Sequence, residues 1–282
     1  MPTAHINGID ISYECLGEGV PLLFIHGGYG GATTTLSPRP HEVRDILPRD
    51  HIRTIVYDRR NAFRSGYTDD HYDLETLAAE AAGLLDHLGI DRAIICGSSA
   101  GGPIALQFAL TRPERVIALC LPNTSAYLAN PERPVGRSRL EWVEHARTEG
   151  DRAAFEARKE ALRKASPIPA NPRPDDAARV QKLQDILTAL SDDDLYHYAK
   201  GELRNYEAYI GWDYSDRLAE LHMPVCVIHG TSDNTVPFDW GHALHKGIPH
   251  SEFHAIEGAD HGVLSYPAAA DVLRQWVGRI TG

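Results

Sequence analysis

A short glycine-flanked segment contains the residues best suited to covalent chemistry. The sequence GSSAG at residues 97–101 matches the pattern G-x-S-x-G and directly follows the apolar run of residues 93–96. A nucleophilic serine at the end of a strand stands on a sharp turn. The positions two residues before and two residues after it have room only for glycine, because neighbouring backbone comes so close. Ser99 has both glycines whereas Ser98 does not, so Ser99 is the predicted nucleophile. A tight strand-to-helix turn or a phosphate-binding loop is the alternative interpretation.

The nucleophile needs a base, because a serine hydroxyl is weakly nucleophilic near neutral pH. The chain has 15 histidines, and His261 stands out because it lies in a glycine-flanked loop after the last predicted strand. That loop and Ser99 both follow the carboxyl ends of strands, so we expect them at the same edge of one sheet. His26 and His229 each open a loop before a glycine, and we expect them to satisfy local hydrogen bonds. His261 is the predicted base.

A third residue has to accept the other N–H of the histidine and fix its tautomer. Asp233 follows the penultimate predicted strand by a short turn, in the segment HGTSD at residues 229–233. Asp260 is adjacent to His261 in the sequence, but neighbouring side chains on a turn seldom face each other. Asp233 is therefore the predicted acid.

Glycines also cluster where acyl transfer would need donors for a developing oxyanion. The segment HGGYGG at residues 26–31 ends an apolar run and can offer an unobstructed backbone N–H at Gly28. The second donor is expected at Ala100, directly after the nucleophile and at a helix N-terminus, where the helix dipole favours negative charge. Taken alone, the first segment would also suit a flexible glycine turn.

Composition restricts the classes of partner. The chain has 282 residues, 43% of them hydrophobic, with a formal net charge of −11 and a pI near 5.7. Nucleic acid is not an expected partner, because phosphate binding requires a basic face. No run approaches the roughly 18 apolar residues of a membrane-spanning helix, and no secretory signal is visible. We expect a cytoplasmic protein that acts on a small molecule without a membrane, and the sequence leaves its oligomeric state open.

The cysteines show neither CxxC nor another metal-binding spacing, and they are Cys15, Cys96, Cys120 and Cys226. Three of them lie in apolar runs that are predicted to be central strands. Buried, reduced thiols are therefore expected, and a catalytic cysteine is disfavoured because none lies in a turn. The sequence implies no metal and no organic cofactor.

Apolar runs alternate with helical patterns on both sides of a long middle segment. Predicted strands cover residues 21–25, 52–57, 93–96, 116–121, 224–228 and 252–256. Residues 5–13 contain Asn7-Gly8 between apolar flanks, which is a hairpin signal. A helix is predicted over residues 74–88, with Asp73 as its N-cap, and a final helix over residues 268–280. Strands separated by helices indicate right-handed βαβ units and a mostly parallel sheet.

The middle segment, residues 125–222, breaks this alternation. It is charged, helical in pattern and rich in Arg, Glu and Ala, with a proline-rich stretch at residues 167–174 and no strand signal. The simplest arrangement is one α/β core domain, made of residues 1–124 and 223–282, with a helical insertion at residues 125–222.

Taken together, these segments resemble the landmarks of the α/β-hydrolase superfamily. They are the strand-ending HGG loop, YDRRNAFRSG, GSSAG and HGTSDNTVP, in the order of that family. The resemblance implies an α/β-hydrolase fold, with a mostly parallel eight-stranded sheet flanked by helices and residues 125–222 as a helical cap. It also implies a Ser99, Asp233 and His261 triad. Some relatives place the acid after the preceding strand, where this chain has the amide Asn123.

Two departures from the family pattern carry expectations of their own. The loop that resembles D-x-R-G-x-G-x-S lacks both internal glycines, and Asn61 and Phe63 stand near their places. We expect that loop to be shaped for a particular ligand. Ser98 precedes the nucleophile where many relatives carry a bulkier His or Gln, which is expected to widen the pocket near the scissile bond.

The substrate is less constrained than the chemistry. A serine nucleophile argues against the haloalkane dehalogenase and epoxide hydrolase branches, which need a carboxylate. Aromatic residues of the insertion are expected mainly in the core of the cap, and they are Trp142, Tyr196, Tyr198, Tyr206, Tyr209 and Trp212. The expected function is hydrolysis of an ester or lactone of a medium-sized, partly apolar or aromatic small molecule through an acyl-enzyme.

Four alternatives stay open on the same scaffold, and cofactor-free oxidation or peroxidation is the least favoured of them. Proline iminopeptidase-like relatives use cap carboxylates to hold a free amino terminus, and Glu202 and Glu207 would be the candidates here. Carbon–carbon bond hydrolases share the triad and cap. A receptor-like member would retain the fold and bind its ligand with little turnover.

Overall fold

A single mixed sheet organises the molecule. The computed structural model describes residues 1–36, 42–165 and 175–282, and within them eight strands pair in the order β1-β2-β4-β3-β5-β6-β7-β8. The strands are β1 (Thr3–Ile6), β2 (Ile9–Leu16), β3 (Val20–Ile25), β4 (Ile52–Tyr57), β5 (Ala93–Gly97), β6 (Val116–Pro122), β7 (Val225–Gly230) and β8 (Glu252–Ile256). Strand β2 pairs antiparallel with β1 and β4, and all other neighbours are parallel. The predicted mostly parallel eight-stranded sheet is confirmed.

Helices flank this sheet on both sides. The described α-helices are α1 (Gly31–Thr35), α2 (Leu74–His87), α3 (Gly101–Thr111), α4 (Pro134–Glu149), α5 (Asp151–Leu162), α6 (Asp176–Ala189), α7 (Asp192–Glu207), α8 (Phe238–Gly247) and α9 (Pro267–Thr281). Of these helices, none is both long and apolar enough to cross a membrane.

Strand β3 shows why the central strands are continuously apolar. Leu22 and Phe24 belong to the core cluster that includes α9, whereas Leu23 and Ile25 belong to the cluster that includes α2 and α3. Successive side chains of a strand point to opposite faces of the sheet, and both faces are covered here. All four side chains are fully buried or nearly so, and each contributes roughly 1.5–3 kcal/mol of hydrophobic stabilisation.

The local signals at the first hairpin and at α2 are confirmed. Asn7 and Gly8 both have positive φ, at 49° and 78°, as a two-residue hairpin turn between β1 and β2 requires. At α2, the side chain of Asp73 accepts a hydrogen bond from the backbone N–H of Thr76 at 2.9 Å. Gly89 follows the helix with a φ of 67°, a conformation that glycine adopts with little strain.

The middle segment places four described α-helices, α4 to α7, between β6 and β7. Helices α4, α5 and α7 pack on one another, and α6 and α7 contact α1, which follows β3. In its described residues the segment is therefore helical, and it contacts the connection between β3 and β4, although the boundaries at residues 125 and 222 stay a prediction. The proline-rich stretch at 167–174 lies outside the described residues.

Three cysteines lie side by side in the centre of the sheet. Cys96, Cys120 and Cys226 stand opposite one another on β5, β6 and β7, and all three are free and fully buried. Their predicted burial in central strands is confirmed, and Cys15 on β2 is half-buried.

The turn between β5 and α3 has room only for glycine at two places. A Cβ on Gly101 would lie 2.1 Å from the carbonyl oxygen of Ile25 and 2.9 Å from that of His26. A Cβ on Gly97 would lie 2.4 Å from the carbonyl oxygen of Gly101. The obstructing atoms are backbone, so no side-chain rotation relieves the contact. The two glycines of the GSSAG segment are therefore required by packing.

We predict that Gly101→Ala lowers the free energy of unfolding by about 1–3 kcal/mol, the usual cost of forcing extra atoms into a packed site. Gly278→Ala is the matched control. Gly278 is exposed near the end of α9, and a Cβ there would have no neighbouring atom within 4 Å, so alanine should stabilise by about 0.5–1 kcal/mol. Urea denaturation of both variants measures the difference, and equal stabilities would contradict the packing argument.

Candidate active site

Ser99 stands on a sharp turn between β5 and α3. Its φ is 50°, an uncommon conformation for a residue other than glycine. Its backbone N–H donates to the carbonyl of Pro122, the last residue of β6, at 3.2 Å, and the N–H of Gly101 donates to the carbonyl of Ser98 at 2.7 Å. These bonds hold the turn in a strained conformation, a common property of functional sites.

The structure brings Ser99, His261 and Asp233 together as a hydrogen-bonded series. Ser99 Oγ lies 2.9 Å from His261 Nε2, and His261 Nδ1 lies 2.8 Å from Asp233 Oδ2. The three residues follow the carboxyl ends of β5, β8 and β7, which meet at one edge of the sheet. The expectation that three distant segments converge there agrees with these distances.

Asp233 is a buried carboxylate whose hydrogen-bond partners stabilise its negative charge. Its Oδ1 accepts hydrogen bonds from the backbone N–H groups of Thr235 and Val236, at 2.8 and 2.9 Å. Nε2 of His229 lies 3.4 Å from Oδ2. Burial raises the pKa of Asp233, but its bonds with His229, His261 and the backbone outweigh burial and hold that pKa far below its usual range. The carboxylate is therefore ionised at neutral pH.

The ionised carboxylate fixes the tautomer of the histidine. Because Asp233 can only accept a hydrogen bond, Nδ1 of His261 carries the proton. Nε2 is then the unprotonated nitrogen, and it faces the hydroxyl of Ser99 as an acceptor. This arrangement can take a proton from Ser99.

Asn123 joins the serine turn to the histidine loop. It is buried with a φ of 41°, its Oδ1 accepts from the hydroxyl of Ser98 at 3.0 Å, and its Nδ2 donates to the carbonyl of His261 at 2.7 Å. Sequence reasoning considered Asn123 only as a residue that cannot serve as the acid and missed this bridge. Asp260 turns away to accept from the N–H of Gly262 at 2.9 Å.

One predicted oxyanion donor, Ala100, directly follows Ser99, and the other, Gly28, follows Gly27, which lies against the serine. Gly28 has a φ of 73°, and Ala100 is the residue before the first turn of α3. Neither N–H donates a hydrogen bond within the part of the chain that the structure describes. Gly27 comes so close to Ser99 that a Cβ on it would lie 2.9 Å from the serine Cβ. Both N–H groups are therefore available beside the nucleophile.

The peptide groups that carry these two N–H groups are each held from the carbonyl side. Nε2 of His26 accepts from the backbone N–H of Arg59 at 3.1 Å, so Nδ1 bears the proton and donates to the carbonyl of Gly27 at 2.7 Å. Thr124 Oγ1 donates to the carbonyl of Ser99 at 2.7 Å. The local hydrogen bonding that we expected of His26 is confirmed, whereas the contribution of Thr124 was missed.

The loop that lacks the two family glycines still adopts glycine-like conformations. Asn61 and Phe63 have φ values of 56° and 49°. The side-chain amide of Asn61 bonds to the backbone of Thr68 and to the hydroxyl of Tyr72, and the ring of Phe63 packs edge-on against His26 at 5.0 Å. These contacts stabilise the loop with Asn61 and Phe63 near the places of the two family glycines. A role of the loop in shaping the ligand site stays a prediction.

A metal site would require several ionisable side chains close together. Among the described residues, no group of three or more His, Cys, Asp or Glu side chains could hold a metal ion.

A family model described as the α/β hydrolase fold matches residues 20–266. The chain belongs to the α/β-hydrolase fold family. The resemblance stated from the motifs is confirmed, and the chain is an enzyme of the hydrolase class.

Individual α/β-hydrolases are similar to this chain over nearly its whole length. RutD of Azorhizobium caulinodans, provisionally named a carbamate hydrolase, is 27% identical over 93% of this chain and 91% of its own. The 3-oxoadipate enol-lactonase 2 of Acinetobacter baylyi is 26% identical over 95% of both chains. The solved structure of a thermophilic esterase from Thermogutta terrifontis, with malate bound, is 25% identical with a TM-score of 0.69, covering 99% of this chain and 97% of that one.

In this α/β-hydrolase, the two candidate carboxylates of the insertion already have cationic partners. Glu207 contacts His71 and Arg147 at 2.7 and 2.8 Å. Glu202 lies 3.4 Å from Arg139. Burial raises the pKa of Glu207, but its hydrogen bonds with His71 and Arg147 outweigh burial and lower the pKa overall.

The left-handed turn of this hydrolase generates a stability prediction. We expect Ser99→Gly to be more stable to unfolding than Ser99→Ala by about 1 kcal/mol, because glycine relieves a positive φ that alanine retains. Both variants lose the hydroxyl, so the comparison isolates the backbone strain. Denaturant unfolding measures it, and an alanine variant as stable as the glycine variant would contradict the strain.

Proposed function

We propose that this hydrolase cleaves a carboxylic ester or lactone through an acyl-enzyme formed on Ser99. The observation that carries the proposal is the series Ser99–His261–Asp233, with distances of 2.9 and 2.8 Å, beside two N–H groups without partners in the described residues. Nucleophile, base and orienting acid within hydrogen-bond reach are the geometry that acyl transfer needs.

The first half of the reaction forms the acyl-enzyme. Oγ of Ser99 bonds to the acyl carbon while His261 Nε2 takes the hydroxyl proton. The carbonyl oxygen becomes an oxyanion, which the N–H groups of Gly28 and Ala100 stabilise. His261 then gives its proton to the alkoxide oxygen as the carbon–oxygen bond breaks. The alcohol leaves, or remains attached to the acyl group when the substrate is a lactone.

The second half returns the enzyme to its starting state. His261 takes a proton from a water molecule as the water oxygen bonds to the acyl carbon, and the same two donors hold the second oxyanion. The proton passes to Ser99 Oγ as the acyl bond breaks, and the carboxylic acid is released. Asp233 stays ionised throughout and stabilises the imidazolium form of His261.

The substrate class is proposed from the aromatic residue of the oxyanion loop. Tyr29, which follows Gly28, is partly exposed, and the buried rings of Tyr206 and Tyr209 support it edge-on at 4.9 and 5.0 Å. A medium-sized, partly apolar or aromatic small molecule suits an aromatic side chain beside the nucleophile. The similarity to an enol-lactonase and to an esterase supports an ester or lactone bond. The proposed reaction uses no metal and no organic cofactor.

Aminopeptidase activity is the less favoured candidate. A subsite for a free amino terminus needs a carboxylate that is free to pair with it. Glu202 and Glu207 are instead paired with arginines of the same insertion. Replacing Arg139 by a substrate ammonium group would leave a partly buried guanidinium without its carboxylate, which is costly.

The nucleophile is tested with a panel of p-nitrophenyl esters, lactones and aminoacyl anilides, using wild type and Ser99→Ala side by side. We expect wild type to turn over an ester or lactone, and Ser99→Ala to lower kcat by about a millionfold, as removal of a triad member does. A fluorophosphonate should label wild type and the matched control Ser98→Ala, but not Ser99→Ala. A loss below about tenfold in Ser99→Ala would contradict the assignment.

The acid is tested by Asp233→Asn, which keeps the shape of the side chain. Its oxygen can still accept from the N–H groups of Thr235 and Val236, but its amide would donate to His261 and impose the wrong tautomer. We expect an unchanged fold by circular dichroism and a fall in kcat of about ten-thousandfold. Asp260→Asn is the control and should retain activity; the opposite ranking of the two variants would refute Asp233.

A further inference from the structure

We infer that Arg59 and Tyr209 form one buried hydrogen-bonded unit that positions both donors of the oxyanion hole. This inference rests on the proposed function, because it assigns these residues to the hole made by Gly28 and Ala100. Arg59 follows β4, and Tyr209 follows α7 in the insertion. Among the hydrogen bonds of the described residues, none joins either side chain to Ser99 or His261, so both are positioning residues.

The first arm of the unit holds Gly28. The guanidinium of Arg59, which is fully buried, donates through its second terminal nitrogen to the carbonyl of Gly28, and the same nitrogen lies 3.5 Å from the carbonyl of Gly27. Gly28 has a φ of 73° and no side chain to restrict its rotation. Bonds to the carbonyls on both sides of its N–H therefore fix the direction in which that N–H points.

The second arm holds Ala100. The hydroxyl of Tyr209 accepts from the other terminal nitrogen of Arg59 at 2.8 Å and donates to the carbonyl of Ala100 at 2.5 Å. Ala100 has no side-chain cap of its own at the start of α3. Burial raises the pKa of Tyr209, so the hydroxyl keeps the proton that this bond requires. One arginine and one phenol thus hold the carbonyl of each donor residue.

The positive charge of this unit is that of the Arg59 guanidinium. Within the described residues, Arg59 forms no ion pair, and the nearby carboxylate of Glu80 is already paired with Arg60. The terminal nitrogens of Arg59 face oxygen atoms of Gly28 and Tyr209 that accept hydrogen bonds without neutralising it. A buried positive charge behind the oxyanion loop favours negative charge developing in front of it, because the surrounding dielectric is low.

The unit also connects the insertion to the reaction centre. Tyr209 lies two residues beyond the end of α7, and its ring packs edge-on against Tyr29 of the oxyanion loop, with ring centroids 5.0 Å apart. Movement of this part of the insertion would therefore change the contacts of both donors at once. The helical segment takes part in the geometry of the hole as well as covering the core.

The test compares Tyr209→Phe with Tyr214→Phe. Both tyrosines are 1% exposed and both variants lose one buried hydroxyl, but the hydroxyl of Tyr214 donates to the side-chain oxygen of Gln107 on α3, at 3.1 Å. We expect Tyr209→Phe to lower kcat by about ten- to a hundredfold, since losing an oxyanion donor outright costs about a hundred- to a thousandfold. KM should change less than about twofold, and Tyr214→Phe should resemble wild type.

A transition-state analogue separates a role in the hole from a role in packing. A trifluoromethyl ketone forms a tetrahedral oxyanion on a reactive serine, so its inhibition constant should rise in Tyr209→Phe by the same factor by which kcat falls. Arg59→Lys keeps the positive charge but cannot donate from two terminal nitrogens at once. This variant should therefore also bind the analogue more weakly than wild type. In the double variant the losses should be less than additive, because each residue acts through the other.

The outcomes distinguish failure of the positioning unit from failure of the proposed function. If wild type turns over an ester in a Ser99-dependent manner but Tyr209→Phe and Tyr214→Phe behave alike, the positioning unit is refuted and the proposed function stands. Equal binding of the ketone by wild type and Tyr209→Phe refutes the unit as well. If wild type shows no turnover that depends on Ser99, the proposed function fails, and this inference fails with it.

Discussion

The left-handed turn at Ser99 is the constraint on which the rest of the site depends. The serine projects from the sheet edge because β5 ends two residues earlier and α3 begins two residues later, and that reversal leaves space only for glycine at Gly97 and Gly101. The strain is retained because bonds to β6 and packing against β3 determine the turn from both sides. A relaxed backbone would place the hydroxyl elsewhere, and His261 would have no proton to accept.

Electrostatics then determines what the convergent side chains can do. A carboxylate buried at Asp233 would be costly without its backbone N–H donors, and with them it stays ionised and dictates the tautomer of His261. The N–H groups of Gly28 and Ala100, in contrast, lack hydrogen-bond partners within the described part of the chain. The negative charge of Asp233 is therefore stabilised at all times. The oxyanion hole stabilises a negative charge only while one is present on the substrate during the reaction.

Much of this arrangement could be predicted from the sequence, because its parts are local. Each signal depends only on residues a few positions away: the glycines around Ser99, the short turns after apolar runs, and the hairpin signal at Asn7-Gly8. Parallel strands then bring their carboxyl ends to one edge of the sheet. The bonds that link separate elements could not be predicted. Arg59 and Tyr209 are 150 positions apart, and nothing in either local sequence indicates that they meet. Asn123 was likewise recognised only as an unsuitable acid.

The central claim is that Ser99 becomes covalently acylated during turnover, and rapid-quench mass spectrometry tests it most directly. Wild type mixed with an activated ester and quenched in acid within milliseconds should gain the mass of the acyl group, with the adduct on the peptide that contains Ser99. The adduct should decay at a rate compatible with kcat. Turnover without an adduct in the pre-steady state, or an adduct on another residue, would contradict the account.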